Sequence, residues 1–103
     1  MQPSSVMPGV LPSQASLRPA PDVVAQRMGE ETVLVQLATN RIYELNRTGS
    51  VFWELLTAGY DRPAIRAELL RRFIVSPAEL DSEIERLIAG LSAAQLIASA
   101  SGA

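Results

Sequence analysis

The chain has 103 residues, a formal net charge of −2 and 48% hydrophobic residues, which suits one small domain. It contains no cysteine and no histidine, and all nine of its basic residues are arginine. That excludes disulfides, thiolate nucleophiles, the usual zinc sites, an imidazole base and a lysine Schiff base. Carboxylates, hydroxyls, phenols and guanidiniums remain, a set better suited to binding than to catalysis. We expect no catalytic residue, no metal ligand and no cofactor.

Five of the seven prolines fall within residues 1–21, among Ser, Gln, Ala and Gly. This stretch reads as a disordered tail. It has neither the basic start nor the apolar run of a signal peptide. No segment is long and apolar enough to span a bilayer, so a cytoplasmic protein is expected.

Beyond the tail, Val23 to Arg27 can extend, and Met28-Gly29-Glu30 turns. Thr32 to Leu37 is rich in β-branched and apolar residues, and Arg41 to Leu45 follows as a third strand. Side-chain parity favours a three-residue loop at Ala38-Thr39-Asn40, opposing Val35 to Tyr43 and Val33 to Leu45 on one apolar face. Asn40 supplies the left-handed residue that such loops need.

Three helices complete the chain. Asn46 caps the first, which carries Val51, Phe52, Leu55 and Leu56 at helical spacing with Trp53 on the same side, and Gly59 closes it. Asp61 caps the second, with Pro63 in its first turn and a stripe of Ile65, Leu69, Leu70 and Phe73. Ser76-Pro77-Ala78-Glu79 is a capping box that starts the third. Its stripe is Leu80, Ile84, Leu87, Ile88 and Leu91, continuing toward Leu96 and Ile97. The expected fold is α+β and winged-helix-like: a three-stranded antiparallel sheet followed by three helices. The domain is placed at residues 22–98, with residues 99–103 frayed.

The run Tyr43-Glu44-Leu45-Asn46-Arg47-Thr48-Gly49, followed by Phe52-Trp53-Glu54-Leu55-Leu56, carries a family likeness. An aromatic and a Leu-Asn pair end a strand, Thr-Gly opens a helix, and an aromatic and a leucine pair follow. Over roughly residues 20 to 98 the chain resembles PqqD-like leader-peptide recognition domains. The resemblance implies a non-catalytic adaptor that binds the leader of a ribosomally made precursor peptide and delivers it to maturation enzymes. In this family the leader typically adds as a strand to the third strand and lies against the third helix, which is β-augmentation. The binding edge would then be Arg41, Ile42, Tyr43, Glu44 and Leu45, and the helix wall Asp81, Ile84, Glu85 and Ile88. An apolar leader residue could rest on Ile42, Ile84 and Ile88, and a basic one could meet Glu44, Asp81 or Glu85. Among pathways the resemblance favours lasso peptides, whose partners would be a cysteine-protease-like leader peptidase and a macrolactam synthetase. A chaperone of the pyrroloquinoline quinone precursor, with a radical SAM partner, is the alternative.

Plainer readings stand beside these. Tyr43, Leu45 and Trp53 suit a core whatever the function. Glu79, Asp81, Glu83 and Glu85 suit a solvated, dipole-compensating first turn and flank. Arg66, Arg71 and Arg72 suit a solvated helix face. A winged-helix DNA-binding regulator shares the architecture, but the third helix carries four acids against Arg86, and such a surface repels phosphates. No nucleic-acid partner is expected.

Overall fold

The computed structural model describes residues 17–99, so the expected tail over residues 1–16 and the end at residues 100–103 lie outside the described residues. The elements are β1 (Leu17–Pro19), β2 (Val23–Met28), β3 (Glu31–Gln36), β4 (Arg41–Leu45), α1 (Arg47–Thr57), α2 (Arg62–Arg72), α3 (Pro77–Ala93) and β5 (Ile97–Ser99). β2, β3 and β4 form an antiparallel meander in that order, followed by three helices, as the α+β reading expects.

Each helix begins where its cap demands. The Asn46, Asp61 and Ser76 side chains accept hydrogen bonds from the backbone N–H of Gly49, Ala64 and Glu79, and Glu79 reaches back to complete the capping box. α1 ends in a Schellman motif: Gly59 takes φ +99°, and the Tyr60 N–H donates to the Leu55 carbonyl at 3.0 Å. α3 ends the same way without a glycine. Gln95 adopts φ +61°, and the Leu96 N–H donates to the Leu91 carbonyl at 2.8 Å. The helix therefore stops at Ala93 rather than running on to Ile97.

Two features depart from the sequence-based expectation. First, Leu17–Pro19 pairs antiparallel with Ile97–Ser99, so order begins before residue 22 and reaches past residue 98. Strands of three residues carry no periodicity to read. Second, the β3–β4 loop spans Leu37 to Asn40, one residue longer than parity suggests, with Gln36 opposite Arg41, Val35 opposite Ile42, and Leu34 opposite Tyr43. Asn40 does take the left-handed conformation, at φ +61°. The longer loop inverts the faces of β3 relative to the expected pairing: Thr32, Leu34 and Gln36 point inward.

Gln36 explains the inversion. Its buried amide donates to the Gln95 carbonyl at 2.5 Å and accepts from the Ala38 N–H at 3.0 Å. A buried polar group with its bonds made is tolerated, and this one ties the hairpin loop to the end of α3. Parity arguments that send polar residues outward do not anticipate it.

The helices cover one face of the sheet. Leu34 and Leu45 meet Phe52, Trp53 and Leu56 of α1, Ile65 and Leu69 of α2, and Leu80, Ile84, Leu87 and Leu91 of α3. Full burial of such side chains is worth roughly 1.5–3 kcal/mol each. The other face bears Val24, Val35 and Ile42 in one cross-strand row, with Val24 and Ile42 49% and 67% exposed.

Candidate functional site

Among the described residues β4 pairs with β3 on one side only, and its other edge is unpaired. α3 packs against α2 and β5, and its other flank runs toward β4. The gap between them is a groove of about 240 Å³ lined by Tyr43, Glu44, Leu45, Asn46, Glu83, Arg86 and Leu87. A strand edge with unsatisfied donors and acceptors beside an open groove is the geometry that accepts an extended peptide.

A larger cavity of about 510 Å³ adjoins the groove at the start of α1 and the α2–α3 loop. The two share Asn46, Glu83 and Arg86. Phe73, Val75 and Leu80 give the cavity an apolar floor, and Thr48, Glu79 and Ser82 complete its rim. Arg47 lies over the Phe73 ring at 5.0 Å from its centroid, fixing that side chain by a cation–π contact. Glu83 and Arg86 are ion-paired one turn apart along the groove wall.

The edge residues Arg41 to Leu45 all lie on β4. Tyr43 is half-buried and turned inward, Leu45 is core, and Ile42 and Glu44 are exposed on the helix-free side. The four α3 residues fall elsewhere. Asp81 pairs with Arg66 of α2 at 2.6 Å, and Glu85 with Arg62 at 3.4 Å. The Arg66 contact holds the Asp81 carboxyl below its ordinary range. Ile84 is 1% exposed and belongs to the core, and Ile88 is half-buried against it. Ile42, Ile84 and Ile88 therefore do not converge.

The reason is angular. At 100° per residue, positions 81, 85 and 88 lie on one flank of the core stripe, and 83, 86 and 90 on the other. The first flank faces α2 and the second faces β4. Sequence reading missed Glu83, Arg86 and Leu87 because both flanks are amphipathic edges of the same stripe. Arg86, the single base on an acidic helix, and Gly90, near the helix end, were the signals on the β4-facing flank.

Among the described residues no group of three His, Cys, Asp or Glu could hold a metal ion, and no helix is long and apolar enough to cross a membrane. No curated protein matches the chain in sequence. Two solved structures share its fold. "TbiB1 in Complex with the TbiA(beta) Leader Peptide" has a TM-score of 0.73 at 22% identity, covering 78% of this chain and 93% of the other. "Lasso peptide synthetase B1 complexed with the leader peptide" has a TM-score of 0.73 at 18% identity, covering 82% and 99%. The family model described as coenzyme PQQ synthesis protein D (PqqD) matches residues 31–97, from the start of β3 to β5. The strand edge, the groove and all three helices fall within that match, and the chain belongs to the PqqD family.

Proposed function

We propose that the chain is a non-catalytic adaptor that binds the leader of a ribosomally synthesised precursor peptide. The leader adds as a strand to β4, places alternate side chains in the groove against Glu83, Arg86 and Leu87, and extends into the cavity over Phe73 and Leu80. The observation that carries this reading is the unpaired β4 edge running beside a groove that α3 leaves open. Both similar structures are B1 proteins described in complex with leader peptides, which favours a lasso-peptide precursor. The adaptor then acts in the cytoplasm and hands the leader to a cysteine-protease-like peptidase, and the precursor passes on to a macrolactam synthetase. The family description favours a second pathway, in which the precursor is that of pyrroloquinoline quinone and the partner a radical SAM enzyme.

Calorimetric titration tests the shared core of both readings. The ligands are synthetic N-terminal segments of the short peptides encoded beside this chain. Binding should occur below about 10 μM, with a negative heat-capacity change from apolar burial. Absence of binding by every such segment at tens of micromolar would contradict the adaptor reading.

A further inference from the structure

A glycine inside a helix is less favourable than alanine, so its presence at position 90, three residues before the end of α3, calls for a cause. The cause is steric. A Cβ at Gly90 would lie 2.2 Å from the Tyr43 hydroxyl oxygen and 3.2 Å from Cζ of the same ring. No real Cβ contact is that short, so a side chain at position 90 forces a shift, and the nearest atoms to give way are those at the end of the Tyr43 side chain.

Where the ring can go follows from its surroundings. Tyr43 sits on the inward face of β4, with Leu34 beside it on β3 and the packed core beneath. The ring also helps to line the 240 Å³ groove, which is open space beside it. The geometry points to Gly90 as a positioning residue for the peptide site: by lacking a side chain it parks the Tyr43 ring against α3 and keeps the groove beside β4 open. Gly90 touches no ligand itself and acts through Tyr43. The inference rests on the adaptor reading for what enters the groove, but not for where the ring lies.

Two arms separate those dependencies. The chain has only two tyrosines, Tyr43 and Tyr60, so protein carrying ring-labelled tyrosine gives a spectrum in which Tyr43 is readily assigned. In the unaltered chain, Tyr43 ring protons should show nuclear Overhauser contacts to the Gly90 Hα protons. In Gly90→Ala, the contacts to α3 at position 90 should weaken and new ones to Leu87 or Arg86 should appear. Unchanged ring contacts in Gly90→Ala would overturn the inference, whether or not any peptide binds.

The second arm titrates the same N-terminal precursor segments. Gly90→Ala should lose at least tenfold in affinity while unfolding cooperatively. Tyr43→Phe removes the oxygen that makes the closest contact, so the double variant Tyr43→Phe/Gly90→Ala should return to within threefold of Tyr43→Phe alone. If Gly90→Ala does not fold, the double variant must fold and bind. Affinity within twofold of the unaltered chain in Gly90→Ala, or a double variant that recovers neither folding nor affinity, would overturn the inference. Failure of the unaltered chain to bind any segment would instead count against the adaptor reading.

Discussion

Glu68 on α2 shows how single side chains organise the exposed helix surface. Its carboxylate accepts from Arg71 at 2.8 and 2.9 Å and from Arg72 at 3.1 Å. These hydrogen bonds hold its pKa down to about 2, from an ordinary value of 4.5. The native state therefore binds the proton more weakly than the unfolded chain does. The stabilisation is fully present above about 4.5 and is lost as pH falls toward about 2. Asp81, lowered by its hydrogen bonds to Arg66, acts in the same direction. Urea midpoints should accordingly fall between pH 5 and pH 2, and Glu68→Gln should flatten part of that decline. An unaltered decline in Glu68→Gln would remove Glu68 from the account. Because the arginines are largely exposed, the effect should also shrink in high salt. This residue-level order was legible only in outline: the charges were visible, but which acid meets which arginine depends on the helix packing. Gln36 was less legible still, since nothing local marks a glutamine whose partner lies at Gln95.

Among the elements, those with covalently local signals were the readable ones. Caps at Asn46, Asp61 and Ser76 and the closing glycine at Gly59 set the helix ends within the chain itself. The β4 bounds of Arg41 and Leu45 were equally plain, because the Ala38-Thr39-Asn40 turn precedes the strand and the Asn46 cap follows it. Register and helix rotation were not, because they are decided by contacts between elements. One loop residue inverted the faces of β3, and roughly half a turn separates the α3 flank that meets α2 from the one that meets β4. The two flanks make opposite predictions for peptide binding. Ser82→Trp, at an exposed position on the cavity rim, should fill that space and lower affinity at least tenfold. The pair Asp81→Asn and Glu85→Gln removes only contacts to α2, so affinity should stay within twofold. Calorimetry on both variants decides, and the reverse pattern would move the site to the α2-facing flank.

For the whole molecule, the arrangement of layers determines which surfaces are available. The helices cover one face of the sheet, and the β1–β5 pair joins the two ends of the described chain. Among the described residues that leaves two outer edges on the meander, β2 and β4, and the groove lined by Tyr43, Glu44 and Leu45 lies beside β4. Augmentation at β4 would extend the row of Val24, Val35 and Ile42 by one strand, so bound peptide and sheet would present one surface to a partner enzyme. The absence of Cys, His and Lys was readable at once and pointed toward binding. Which edge binds is a property of the assembled fold. Amide hydrogen exchange, measured with and without a bound N-terminal precursor segment, tests this most directly. Strand addition at β4 should slow exchange within Arg41 to Leu45 at least tenfold while leaving Val23 to Met28 unchanged. Protection of Val23 to Met28 instead, or of neither edge, would contradict the account.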